Sequence, residues 1–226
     1  AMDPQQRVFL TVAWEALEDS GIRPSGLKES NAGVFVGVST RDYGSLQTTH
    51  TNVLNAYSAS GMAQSIVANR LSYLLDLRGP SLAVDTACSS SLVALHLACG
   101  ALRSGETDLA IVGGVNAILD PELSVALSQA RMLAPDGRCK TFDRRADGFA
   151  RAEGAGVLIV IRAEDARREG HRIYAEVLGT AVNQDGRSNG LTAPNGLAQQ
   201  EVIRAALERA RVNASEISVV EAHGTG

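Results

Sequence analysis

Short apolar runs and helix-spaced apolar positions alternate along this chain. Asp3 ahead of Pro4 predicts a capped helix that runs through Trp14 and Leu17 and stops near Gly21. Residues 33–38 read as a buried strand, and the polar stretch through Tyr43 and His50 reads as a loop. A helix is predicted from Ser60 or Gly61 through Ile66, Asn69 and Leu74. The run Ser81-Leu82-Ala83-Val84 after Gly79-Pro80 is the next strand, followed by a helix with Leu92, Leu95, Cys99 and Leu102 on one face. Residues 109–114 and 157–161 are further strands, with a helix opened by Pro121 and a long loop over 132–149 between them. Then come a short charged helix over 164–169 and a longer strand over 173–182. An amphipathic helix presenting Val202, Ile203, Ala206 and Leu207 leads to a last strand at 217–220.

Strands alternating with helices predict an α/β fold, mostly parallel, with right-handed crossovers. The first sheet is expected to span 33–161 and a second to begin near Ile173. Ligands in such sheets bind beyond the C-terminal strand ends, and both Cys88 and His223 fall there.

The segment Asp85-Thr86-Ala87-Cys88-Ser89-Ser90-Ser91 joins a strand to a helix through small residues and one thiol. A sharp strand-to-helix turn lifts such a side chain out of the sheet and sets it at a helix N-terminus. Unpaired N–H groups and the helix dipole favour a thiolate there and can hold a developing oxyanion, with Ser89 to Ser91 as first-turn residues. Cys88 therefore reads as a nucleophile, against the alternative of an inert buried thiol. Cys99 shares a helical face with Leu95 and Leu102 and reads as core; Cys139, in a polar loop with no base near it, reads as incidental. His96 fits a satisfied core position, and His50 and His171 fit the surface. His223 follows a buried strand and precedes Gly224-Thr225-Gly226, a loop that lets a ligand come close, so it reads equally as structural or as an acid–base group. Gly113-Gly114 lacks the remaining glycines of a dinucleotide site, so it reads as close packing. The basic pairs Arg144-Arg145 and Arg167-Arg168 read as solvated charge, with docking of an acidic carrier as the alternative.

Together with four other blocks, this segment resembles the β-ketoacyl synthase domains of modular type I polyketide synthases, members of the thiolase superfamily. The blocks are Met2-Asp3-Pro4-Gln5-Gln6-Arg7, Cys139-Lys140-Thr141-Phe142-Asp143 with Ala146-Asp147-Gly148-Phe149, the run from Asn183 to Gly196, and Glu221-Ala222-His223-Gly224-Thr225-Gly226. They occur in the family's order and cover nearly the whole chain; Ala152 departs, standing where the family more often has glycine.

The resemblance implies a thiolase-like layered α/β/α/β/α fold, incomplete at both ends. Residues 1–165 would be the N-terminal half lacking its first strand, and 166–226 the start of the C-terminal half. The family's first strand would precede Met2, and a second histidine, a lysine and a glycine-rich loop would follow Gly226. It further implies Cys88 as nucleophile and oxyanion N–H donor, His223 in decarboxylation and enolate stabilisation, and Thr225 on the pantetheine arm. Substrates would arrive on the phosphopantetheine of an acyl carrier protein, with a malonyl-type extender, in a homodimer, and with no metal or bound cofactor. Two rival readings accompany this one: a catalytically incompetent scaffold that only self-associates, and a Cys–His thioester hydrolase or acyltransferase.

Composition narrows the picture. The chain has 226 residues and is 45% hydrophobic but only 4% aromatic, which suits closely packed α/β layers. No apolar run is long enough to span a bilayer, and three cysteines at unrelated spacings give neither a disulfide framework nor a metal site, so a cytoplasmic location is expected. A net charge of −4 argues against nucleic acid as a partner.

Overall fold

A computed structural model describes residues 2–49 and 54–225. Helix α1 (Pro4–Ser20) starts where the sequence places it: the Asp3 carboxylate accepts from the Gln5 N–H at 2.8 Å, and Gly21 ends the helix in the left-handed conformation. Phe9, Ala13 and Leu17 form its buried stripe, spaced one turn apart. The other elements are β1 (Ala32–Gly37), α2 (Asp42–Thr49), α3 (Ser58–Met62), α4 (Ser65–Leu75), β2 (Ser81–Val84), α5 (Ser90–Ser104) and β3 (Leu109–Asn116). They are followed by α6 (Glu122–Gln129), β4 (Gly154–Ile161), α7 (Ala163–Glu169) and α8 (Gly196–Ala210).

The strands form one sheet in the order β2-β1-β3-β4. Strand β1 pairs in parallel with both β2 and β3, whereas β4 runs antiparallel to β3. Successive side chains on a strand leave opposite faces. Val34, Val36 and Ile111 thus pack with Phe9 and Leu17 of α1 and with Val67 and Leu71 of α4. Phe35, Ala110 and Val112 meet Ala94, Ala98 and Leu102 of α5 on the other face.

The layering continues beyond α5. His96 Nδ1 lies 2.8 Å from the Thr180 hydroxyl, and Arg209 of α8 donates to the Thr180 carbonyl at 2.8 Å. A Cβ added to Gly179 would sit 2.5 Å from the Ala206 carbonyl oxygen, so α8 lies directly on this segment. Gly179 and Thr180 therefore lie between α5 and α8.

Several expectations are corrected. Residues 173–182 and 217–220 are not strands, and no second sheet forms among the described residues. Extended backbone becomes a strand only when a neighbour takes its N–H and C=O groups. Neither segment pairs, and Tyr174 and Val220 remain 66% and 80% exposed. The stretch through Tyr43 is α2 rather than loop, fixed by the Asp42 carboxylate accepting from the Leu119 and Asp120 N–H groups at 3.0 and 3.2 Å. His50 lies outside the described residues. The single helix expected from Ser60 is two, because Ala63 adopts extended backbone between α3 and α4.

Candidate active site

The Asp85–Ser90 turn is braced by several side-chain hydrogen bonds. Ala87, a non-glycine residue, sits at φ 53°, a left-handed conformation that costs about 1–2 kcal/mol. Side chains on both sides hold it there. The Asp85 carboxylate accepts from the Ala87 N–H at 3.1 Å. The Ser89 hydroxyl donates to the Thr86 carbonyl at 2.9 Å. The Ser90 hydroxyl accepts from the Thr86 N–H at 2.9 Å and donates to the Ala87 carbonyl at 2.6 Å. The outcome is an exposed Cys88 thiol between the end of β2 and the start of α5.

The serines differ from the sequence expectation in one respect. Ser89 is the residue before the helix and makes no side-chain cap; its hydroxyl and that of Ser90 turn back to hold the elbow. Two glycines let α5 settle this close to the sheet. A Cβ on Gly37 of β1 would lie 2.5 Å from the Ser91 nitrogen, and one on Gly114 of β3 would lie 2.9 Å from Ser91 Cβ. One on Gly113 would lie 2.5 Å from the Gly156 carbonyl oxygen, so close packing is the role of both residues of the pair. Beside the elbow, at the C-terminal ends of β1 and β2, a cleft of about 420 Å³ is lined by Val38, Arg41, Gln64, Ser65, Ala83 and Asp85.

A second cluster surrounds His223. The Thr141 hydroxyl donates to the Gly224 carbonyl, bringing the 139–143 loop against the His223–Thr225 loop, and Gly224 takes a left-handed φ of 66°. His223 and Thr225 are both exposed. Among the described residues no hydrogen bond joins Cys88 to His223.

The 132–149 loop is built rather than slack. The Ala134 and Phe149 N–H groups tie its two ends at 2.9 and 3.0 Å. Lys140 sits between Asp136 and Asp147 at 2.8 and 2.6 Å, and these hydrogen bonds hold its ammonium above the ordinary lysine value. Phe142 stands 92% exposed at φ 63°. Cys139 is exposed in this loop, and its sulfur accepts from the Ala150 N–H at 3.2 Å.

The remaining candidates behave as structure. Cys99 is buried, and burial pushes its thiol up. His96 is satisfied by Thr180 yet only half-buried; desolvation, with Arg209 and Arg103 nearby, holds its imidazole below the ordinary value of 6.5. His171 pairs with Glu169 at 3.2 Å. Arg145 pairs with Asp143, Arg167 with Glu176, and Arg168 with Asp165 and Glu169, so these guanidiniums are engaged by the chain's own carboxylates. Among the described residues no helix is long and apolar enough to cross a membrane, and no group of three His, Cys, Asp or Glu side chains is placed to hold a metal ion.

Three site features are absent from the sequence reading: the Ser90 clamp, the Thr141–Gly224 contact and the role of Gly37. Only Gly37 carried a signal, as a glycine inside an apolar strand.

Comparison with known proteins places this geometry. The model for the β-ketoacyl synthase N-terminal domain matches residues 1–166, and that for the C-terminal domain matches 174–226. A phenolphthiocerol/phthiocerol polyketide synthase of Mycobacterium tuberculosis is 56% identical over 225 residues, which is 100% of this chain but 12% of that protein. Polyketide synthase GfsA of Streptomyces halstedii is 55% identical over 226 residues, 100% of this chain and 3% of that protein. Among solved structures, the ketosynthase from module 6 of the bacillaene synthase from Bacillus subtilis 168 superposes with a TM-score of 0.91 at 42% identity, covering 99% of this chain and 38% of that one. The oxazolomycin ketosynthase domain OzmH KS7 of Streptomyces albus JA3453 gives a TM-score of 0.93 at 40% identity, covering 100% and 39%. The layered thiolase-like fold implied by the sequence is therefore the fold of this chain's structural neighbours.

Proposed function

The chain belongs to the β-ketoacyl synthase family, and from that premise we propose that it supplies the nucleophile of a polyketide ketosynthase. The observation that carries this reading is the braced left-handed turn at Ala87, which presents an exposed cysteine at the head of α5. Holding a strained turn costs stability, and such strain persists where function uses it.

In this reading an acyl group arrives on the phosphopantetheine thiol of a carrier protein. The Cys88 thiolate attacks the thioester carbonyl carbon, and the oxygen takes the negative charge and is held by the Cys88 N–H. The intermediate collapses with cleavage of the carbon–sulfur bond to the carrier, whose thiolate is reprotonated from solvent. A malonyl-type extender on a second carrier then loses carbon dioxide, leaving the electron pair as an enolate. His223 donates a hydrogen bond to the extender's thioester carbonyl and so stabilises that enolate. The enolate carbon attacks the acyl-Cys88 carbonyl, a carbon–carbon bond forms, and Cys88 leaves as thiolate. Thr225 binds the pantetheine arm.

Residues 1–165 form the N-terminal half in this assignment and 166–226 the start of the C-terminal half, in a homodimer. Every step uses side chains and carrier-bound substrates, without a metal or a dissociable cofactor. The test is acylation of the purified chain by a short acyl thioester, followed by intact mass. One adduct that disappears in Cys88→Ala is the expected result; a folded sample that takes up no acyl group refutes the assignment of Cys88.

A further inference from the structure

We infer that Ser90 is the positioning residue for the oxyanion site, acting through the peptide bond between Ala87 and Cys88. The inference rests on the reading of Cys88 as nucleophile and oxyanion donor. The Ser90 side chain is buried and makes two bonds to the elbow: its oxygen accepts from the Thr86 N–H at 2.9 Å, and its hydroxyl donates to the Ala87 carbonyl at 2.6 Å. That carbonyl belongs to the same planar unit as the Cys88 N–H. In a trans peptide the C=O and N–H vectors point in opposite directions, so fixing one fixes the other. By holding the Ala87 carbonyl on its own side, Ser90 aims the Cys88 N–H away from it. A hydrogen bond to the carbonyl also polarises the amide and strengthens its N–H as a donor.

Other braces of the turn do different work. Asp85 holds the Ala87 N–H, which belongs to the preceding peptide, and the Ser89 hydroxyl holds the Thr86 carbonyl and hydroxyl. The Ser90 N–H also points to the Ala87 carbonyl, but at 3.2 Å, the longer of the two contacts. Among the described residues only the Ser90 hydroxyl braces the Ala87–Cys88 peptide through a side chain. The sequence contains three consecutive serines here, and the structure gives them different tasks: Ser89 grips Thr86, Ser90 aims the amide, and Ser91 fills the space left by Gly37 and Gly114.

The consequence separates two reactions of one thiol. Acylation passes through a tetrahedral oxyanion and needs the aimed N–H, whereas alkylation by iodoacetamide displaces iodide at a saturated carbon and generates no oxyanion. Deleting an oxyanion donor costs roughly 100- to 1,000-fold in rate, and misaiming one is expected to cost at least about tenfold. The experiment measures both rates on the intact chain, with butanoyl N-acetylcysteamine thioester and with iodoacetamide, for wild type, Ser90→Ala and the isosteric pair Ser90→Thr and Ser90→Val. Urea unfolding identifies variants that fold. The expected result is a ratio of acylation to alkylation lowered at least about tenfold in Ser90→Ala and Ser90→Val and retained in Ser90→Thr. Should Ser90→Ala not fold, the threonine and valine pair carries the comparison alone. An unchanged ratio in the variants lacking the hydroxyl, or equal loss of both rates, overturns the role of Ser90 while leaving Cys88 as nucleophile. A folded wild type that is alkylated but never acylated overturns both.

Discussion

Replacing Gly37 by alanine tests how the elbow is seated on the sheet. The added Cβ would lie 2.5 Å from the Ser91 nitrogen and 2.7 Å from both the Ser90 carbonyl carbon and Ser91 Cα. Favourable carbon contacts lie near 3.5–4.0 Å, so the overlap is about 1 Å against three backbone atoms. No side-chain rotation relieves it. Strand β1 has little room to retreat, because Gly37 is registered with Val84 on one side and Gly114 on the other. The first turn of α5 must lift instead, and it carries Ser90 with it. Overpacking of this kind costs about 1–3 kcal/mol, and rigid backbone neighbours place Gly37→Ala at the upper end. At roughly 2–4 °C per kcal/mol for a chain of this size, the unfolding midpoint should fall by about 6–12 °C. Gly100→Ala is the matched control: it lies within α5 with nothing near its added Cβ, and it should stabilise by about 0.5–1 kcal/mol. Thermal unfolding followed by circular dichroism gives the midpoints, and intact mass after thioester treatment gives Cys88 acylation. A Gly37→Ala midpoint within about 1 °C of wild type would refute the close-approach argument.

Other outcomes follow from single residues. Gln6→Leu should cost about 1–3 kcal/mol in urea unfolding, because the buried amide donates to the Ser60 and Gly61 carbonyls and accepts from Arg70. Phe9→Ala should cost about 3–5 kcal/mol, since its ring is fully buried between α1 and the sheet. For His96 the folded imidazole binds its proton less readily than the unfolded one, so stability is present above 6.5 and is lost as pH falls toward the lower folded value. Urea midpoints at about pH 7.5 and about pH 5.5 should therefore differ less in His96→Gln than in wild type. Lys140→Met leaves Asp136 and Asp147 facing each other without their shared cation, and limited proteolysis should cut the 132–149 loop faster.

Local chemistry made much of this architecture legible. The cap at Asp3-Pro4, the apolar runs of β1 to β3 and the stop at Gly21 each follow from nearest neighbours in sequence. The strand-to-helix turn that carries Cys88 was legible because a strand, small residues and a helix are visible in order around it. Most of the misreadings involve distant partners or backbone conformations that the residue type does not announce, as at Ala63 and Ala87. Helix α2 contains few apolar residues, and the Asp42 carboxylate that fixes it bonds residues more than 70 positions away. The antiparallel sense of β4 is invisible in an apolar run, which reads the same in either direction. Residues 173–182 have the composition of a strand but no strand neighbour among the described residues. The role of Ser90 depends on Ala87 adopting a positive φ, which alanine itself gives no reason to expect.

The placement of the braces also sets a schedule for synthesis. Everything that holds the Cys88 elbow, from Gly37 to Gly114, emerges from the ribosome before any part of the His223 loop exists. About a hundred residues separate Gly114 from His223, so at ~5–20 residues per second the nascent chain contains every residue of the elbow roughly 5–20 s before those of the His223 loop. The braces of the elbow therefore do not wait for the His223 loop to be synthesised.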